Sequence, residues 1–547
     1  MNNRVLVCSF RCHKLRLLQI PSHSYHQSTF SSKSNQRLLK RGPCLKIRNV
    51  FLNALDCQYT GYASKSTIIN MAESCTTSIG KKKVLKKRPF SAQLSAYTMK
   101  RQRFNEENTR NSDTANGNNH KYRSWEYVPS SARRAGINFT FMTYNVLAQK
   151  LLEDNHYLYS HVNRQYLTWR HRKNELMREI KALSPDVLCL QEVDAEHYEN
   201  FFNPILINLG YLGNFKKRTG DKPDGCATYF KADKFTMDRC VAVEFYRPGV
   251  SILDRDNVGL LTLLKPISED VDDNVRLCLA NTHLLFNPKR GDIKLAQISL
   301  LFSEIDSLIY KPGGTGYHPV ILCGDFNSSP YSPMYNFICG KRLKVQNLLA
   351  KDVSGQGDRG GRYVKLSRDT LPPRIGIYDQ CQYIALVNQR KSHQVSLESS
   401  KDSKKPAPSV DDNDGAVIKN EAKSTTPESQ NMQTSRHTVG SGVLSHNFDL
   451  ASVYKHKTDR AGKLFTEVST QHMRACATVD FIFYTVDDQN IADASADGSA
   501  VNIENGNLEL TARLKLMTKT EIKRMGGLPN KYHGSDHLPL VAKFNLK

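Results

Sequence analysis

Residues 319 to 327 read Pro319-Val320-Ile321-Leu322-Cys323-Gly324-Asp325-Phe326-Asn327. A strand-forming apolar run meets a glycine, and a carboxylate and a carboxamide follow two positions apart, where a buried strand surfaces. Such a pair suits a hard cation or a phosphate. Alone it would also suit an ordinary turn, since Asp and Asn hydrogen-bond their own backbone. The rest of the chain decides between the two.

Four other strand-like runs carry polar residues in the same way. Phe139 to Thr143 leads into Tyr144-Asn145, Asp186 to Leu190 into Gln191-Glu192, and Leu277 to Ala280 into Asn281-Thr282-His283. Thr478 to Tyr484 holds Asp480 inside an apolar strand, and Gly534-Ser535-Asp536-His537 opens the last one, Val541 to Asn545. Buried carboxylates are costly unless paired or metal-bound, and ligands of open α/β sheets sit at strand ends. The repetition predicts one shared active site.

Residue types indicate its chemistry. Glu192, Asp325, Asn145 and Asn327 offer oxygen-bearing groups without Cys or His at zinc spacing, which favours Mg²⁺, or Mn²⁺ in its place, over Zn²⁺. A cation bridging to a phosphate neutralises charge and orients in-line attack by water. His537 is the candidate general base, Asp480 the carboxylate that orients it, and His283 and Asn257 the candidate donors to phosphate oxygens.

In order and spelling these segments resemble the endonuclease/exonuclease/phosphatase superfamily from Asn138 to Lys547, one insertion excluded. Within it the chain is most similar to the Angel proteins, relatives of the Ccr4-type deadenylases. Tyr144 to Gln149, Arg218 to Ala227, Leu253 to Leu260, Asn287 to Leu295 and Gly527 to Tyr532 carry the likeness. The resemblance implies a four-layer α/β/β/α sandwich and a magnesium-dependent phosphoesterase acting on RNA 3′ ends. The activity expected is hydrolysis of 2′,3′-cyclic phosphates, removal of 3′ nucleotides, or both; the alternative is a poly(A)-preferring exoribonuclease. It further implies that Asn145, Glu192, Asp325 and Asp536 belong to the metal site and that Asn327 contacts metal, substrate or attacking water. Ccr4-type enzymes hold the terminal adenine between a Pro and a Phe. Pro288 matches the first position, but Ala475 stands at the second, which weakens the case for strict poly(A) specificity.

The net charge of +24 and pI near 9.4 favour polyanionic partners, though much of the charge lies outside the catalytic region. Ten Arg and Lys residues precede the first acidic residue, Asp56, a composition shared with mitochondrial transit peptides. The cluster Lys81 to Arg88 reads as a nuclear address or RNA-tethering arm, and Met71 lies between the two. Residues 1–70 are thus expected to be a basic leader, 71–135 a disordered linker, and 136–547 a catalytic domain with a disordered insertion at about 388–444. Cytoplasm, mitochondrion and nucleus all remain open as locations. The thirteen cysteines show no paired spacing, and no apolar run is long enough to span a membrane. Leu176, Ile180 and Leu183 predict one helix before the Glu192 strand, and Ile298, Leu301, Ile305 and Leu308 another before the Asp325 strand.

Overall fold

The computed structural model describes residues 123–128, 135–311, 316–357, 363–402, 438–486 and 507–547. The proposed leader, Met71 and the 81–88 cluster lie outside them. Thirteen strands form two large sheets: β1 Trp125–Tyr127, β2 Ile137–Asn145, β3 Val187–Asp194, β4 Tyr211–Lys217, β5 Asp224–Lys231, β6 Phe235–Glu244, β7 Val258–Pro266, β8 Leu277–His283, β9 Val320–Asp325, β10 Leu450–Ser452, β11 Asp480–Thr485, β12 Leu508–Leu514 and β13 Leu540–Leu546. The first sheet runs β1-β12-β13-β2-β3-β5-β4 and the second β10-β11-β9-β8-β7-β6.

Side-chain alternation builds the layers. Phe139, Phe141, Cys189 and Phe230 of the first sheet meet Leu279, Ile321, Cys323 and Ile482 of the second in one core. The opposite faces are covered by helices. Leu176 and Ile180 of helix α1, Trp169–Leu183, pack on Met142, Leu188 and Leu190. Leu295, Ile298, Leu301 and Ile305 of helix α2, Gly291–Ile309, pack against Leu261, Cys278 and Leu322. The α/β/β/α order expected from the resemblance is therefore present. None of the eight described cysteines forms a disulfide, and no described helix is long and apolar enough to cross a membrane.

Each sheet contains one parallel pair, joined through a helix: β2 and β3 through α1, β8 and β9 through α2. Crossover connections carry both strands of a parallel pair to the same end of a sheet. That geometry explains why the motif residues converge. Asn145 lies opposite Gln191, His283 opposite Asp325, and Asp325 opposite Asp480.

Two expected boundaries shift. The polar stretch before residue 136 contains β1, which pairs antiparallel with β12, and the buried Arg123 beside it. Arg123 Nε donates to the Lys515 carbonyl at 2.9 Å and Nη2 to that of Pro539 at 2.8 Å. The proposed insertion is ordered at both edges. Helix α3, Ile384–Asp402, enters it, and Val443–Ser445 pairs with Arg342–Lys344 at its far side. Composition missed the helix because so few of its residues are apolar. It is held by Arg390, whose Nη1 donates to Asp306 Oδ2 at 2.8 Å and whose guanidinium lies 3.7 Å from the Tyr310 ring centre.

Replacing residues 403–437 with a short Gly/Ser linker should leave folding intact, because loop length alone costs little. Arg390→Ala should instead lower stability by about 2 kcal/mol, since it takes a charged donor from the buried Asp306. Urea unfolding of both variants checks the contrast.

Candidate active site

The site lies at the seam between the sheets, and one carboxamide spans it. Asn145 Nδ2 donates to Glu192 Oε1 of the first sheet at 2.9 Å and to Asp325 Oδ2 of the second at 3.1 Å. Its Oδ1 accepts from the Leu147 N–H at 3.0 Å. Asn145 thus cross-links the carboxylates and turns its oxygen away from the point they share. Glu192 Oε2 also accepts from the Ala148 N–H at 3.2 Å.

Backbone shape sets these positions. Leu147, Glu192 and Asn327 adopt φ of 56°, 54° and 47°, a region non-glycine residues enter at a cost and mostly at functional sites. Glu192 falls within the irregularity between Leu190 and Val193, where β3 slips against β5. Such bulges re-aim a side chain. Gly324 has φ 130°, and a Cβ there would stand 1.9 Å from the Thr282 carbonyl. Only glycine lets β9 approach β8 closely enough to bring Asp325 beside His283.

The second half of the site is a His-Asp pair. His537 Nδ1 bonds Asp480 Oδ2 at 2.8 Å, which turns Nε2 toward Asp325 Oδ2 and Asp536 Oδ1, each 3.9 Å away. Burial disfavours charge on the imidazole, yet Asp480, Asp536 and Asp325 outweigh it and hold the His537 pKa well above the usual histidine value. Burial, joined by the neighbouring charge of Asp480, pushes Asp325 up to about 7. Glu192 is raised by burial as well, with His283 working against the shift.

His283 and Asn327 complete the cluster. Asn327 Nδ2 donates to His283 Nε2 at 3.0 Å and to the Leu284 carbonyl at 3.1 Å. The Asn327 N–H is fixed by Asp325 Oδ1 at 2.9 Å. Folding also brings the His283 imidazole into one group with Glu192 and Asp325, the candidate ligand atoms within 4.8 Å of one another. Asn257 lies behind the His283 strand end. Its Nδ2 donates to the His283 carbonyl at 3.0 Å and its Oδ1 accepts from Gln297 Nε2 at 3.2 Å. Its amide supports the strand end that presents His283. Pro288 is half-buried and its carbonyl accepts from Ser354 Oγ at 3.2 Å. Ala475 lies opposite His472 in the hairpin formed by Thr470–His472 and Ala475–Ala477.

The donor set fits a divalent cation. The half-buried Glu192 and the buried Asp325 converge from different sheets, Asp325 is pushed toward neutrality, and the buried Asp536 Oδ1 has no hydrogen-bond partner. Positive charge at their meeting point would relieve all three.

Several positioning residues escape motif reading. Ser469 Oγ donates to Asp480 Oδ2 at 2.6 Å and accepts from the Val479 and Asp480 N–H groups. Tyr159 donates to Asp536 Oδ2 at 2.9 Å. The buried Arg172 donates to the Val146 and Leu147 carbonyls at 2.8 Å and to that of Gly534 at 2.9 Å, tying the loop after β2 to the one bearing His537. Beneath the site Gln191 Nε2 donates to Asn281 Oδ1 at 2.7 Å across the sheets. Lys294 donates to the Asn327 carbonyl at 2.5 Å, and burial lowers its pKa to about 7. Each is a single residue in a loop, strand or helix, and only pairing with a motif residue in space reveals it.

A model described as the endonuclease/exonuclease/phosphatase family matches residues 142–537. The chain belongs to that family. Within the family it groups with the Angel proteins. Human protein angel homolog 2 is 42% identical over 413 residues, 75% of this chain and 70% of that protein. Human protein angel homolog 1 is 34% identical over 468 residues, 78% and 67% of the two chains. The crystal structure of ANGEL2, named there as a 2′,3′-cyclic phosphatase in complex with adenosine-2′,3′-vanadate, covers 78% of this chain and 98% of its own. The two are 39% identical with a TM-score of 0.59.

Ser469→Ala should lower kcat about tenfold with little change in KM, since a hydrogen bond to a charged group contributes ~1.5 kcal/mol. Steady-state kinetics check this, and an unchanged kcat would remove Ser469 from the positioning set.

Proposed function

We propose that this chain is a magnesium-dependent phosphoesterase that hydrolyses 2′,3′-cyclic phosphate at RNA 3′ ends. The observation that carries the reading is the His537–Asp480 pair at 2.8 Å, facing the Glu192, Asp325 and His283 group. Likeness to a protein named as a 2′,3′-cyclic phosphatase supports the substrate.

The His537 imidazole acts in its neutral form, which a cation at the meeting point of Glu192 and Asp325 would favour by offsetting the carboxylates that raise its pKa. Its Nε2 takes a proton from water while the water oxygen bonds to phosphorus. The bond from phosphorus to the 2′ or 3′ oxygen breaks, that oxygen takes a proton from solvent, His537 returns its own to solvent, and a phosphomonoester remains. Asp480 and Ser469 orient the imidazole, and Asp480, Asp536 and Asp325 stabilise the imidazolium that forms. His283 and Asn327 line the position of the non-bridging oxygens. Glu192 and Asp325 would hold Mg²⁺, with Asp536 nearby and Asn145 keeping the carboxylates together; the cation supplies charge neutralisation and phosphate orientation.

The experiment compares RNAs ending in hydroxyl, 3′-phosphate or 2′,3′-cyclic phosphate, using residues 123–547 with magnesium so that β1 and Arg123 are retained. Turnover of the cyclic end is expected. Glu192→Ala and His537→Ala should each remove nearly all of it, the base alone contributing ~10²- to 10⁴-fold. Activity within about threefold of wild type in either variant sinks the mechanism, because a general base is worth far more than that.

A poly(A)-preferring exoribonuclease is the second reading, kept because Pro288 matches the position of the adenine-holding proline and its carbonyl is fixed by Ser354. Ala475 opposes it, since no ring at that position can stack on adenine. Ala475→Phe should raise selectivity for poly(A) over mixed RNA by about tenfold, measured as kcat/KM at one salt concentration. A wild-type preference for poly(A) of about a hundredfold, the upper range of a single stacked base, would favour the exoribonuclease.

A further inference from the structure

The segment Gly527 to Tyr532, singled out by sequence, takes no part in the chemistry above. It lies beside two other pieces of chain that are tied to the catalytic loop. Tyr159 donates to the Asp536 carboxylate, and the Gln471 N–H donates to the Asp536 carbonyl at 2.8 Å. Gln471 Oε1 accepts from the Leu528 N–H at 2.7 Å. The Met473 N–H donates to the Leu158 carbonyl at 3.0 Å, closing the link between the first two pieces. Arg178 Nη2 fastens the third to helix α1 through the Tyr532 carbonyl at 2.6 Å.

These anchored pieces present unusual side chains to solvent. Tyr157 is 52% exposed, Met473 56% and Tyr532 40%. The Arg474 guanidinium lies 4.7 Å from the Tyr157 ring centre and the Lys531 ammonium 5.5 Å from that of Tyr532. An exposed ring with a cation beside it offers a nucleobase a stacking face and the adjoining phosphate a positive charge. A rigid backbone keeps ordering costs low on binding.

We propose that Tyr157, Met473, Arg474, Lys531 and Tyr532 form a platform for single-stranded RNA, holding the nucleotides that precede the 3′-terminal phosphate. This deepens the RNA 3′-end reading and rests on it. Continuity with the Asp536-His537 loop fixes the location, and the two cations complement the RNA backbone. The platform binds without reading sequence, because every base has a stacking face.

The test compares kcat/KM for an oligoribonucleotide of about ten residues ending in 2′,3′-cyclic phosphate with that for cytidine 2′,3′-cyclic phosphate alone, a length that spans several stacked bases. Wild type should favour the oligonucleotide. Tyr157→Ala combined with Arg474→Ala, and Tyr532→Ala alone, should each reduce that ratio roughly tenfold or more, the scale of a lost stacked base. Tyr157→Phe should keep it, since the ring remains. A wild-type ratio near one, or equal losses on both substrates in the variants, overturns the proposal. Fluorescence anisotropy with single-stranded RNA in EDTA separates this from the catalytic reading. The Ala variants should bind roughly tenfold more weakly than wild type even if cyclic phosphate proves the wrong substrate, and an unchanged Kd overturns the platform.

Discussion

Carboxylates from two sheets meet at the seam of this molecule, and their mutual repulsion must be held in check. Glu192 and Asp325 belong to different sheets, joined across the seam by Asn145 Nδ2 at 2.9 and 3.1 Å. Desolvated like charges do not stay together without donors or a cation. Much of the surrounding structure supplies that restraint. Gln191 and Asn281 join the sheets below, Arg172 fastens the loops above, and Ser469, Asp480 and His537 close the far side. The core between the sheets therefore sets the separation of catalytic groups as well as contributing apolar burial.

Strand chemistry made the convergence of the candidate site residues legible. Apolar runs ending at Asn145, Glu192, His283 and Asp325 announce both a strand and the end at which it surfaces, and crossover helices bring those ends together. Asp480 stood out as a charge inside an apolar strand, and His537 through the segment opening the last one. The helices were legible where one face is apolar, as in α1 and α2.

What escaped sequence reading did so for physical reasons. Tyr159, Ser469, Arg172 and Lys294 acquire their parts from contacts between residues distant in sequence, so no local spacing marks them. The hold of Asn257 on the His283 carbonyl and on Gln297 is likewise a contact between distant segments. His283 joins the carboxylates through parallel pairing of β8 with β9, which a ligand-spacing argument cannot see. Strand β1 is three residues long in a polar stretch, and α3 is largely polar, so tertiary anchors rather than composition hold them.

The short strand β1 has a consequence for solubility. It occupies the outer side of β12, a seven-residue strand whose far side pairs with β13. Without it, β12 would present a row of unpaired amides and carbonyls, a template for edge-to-edge pairing with another chain. A three-residue edge strand offers little for a second molecule to extend. The first described residues thus act as an edge guard, and cleavage just after them would create an association-prone form whose catalytic groups were all still present.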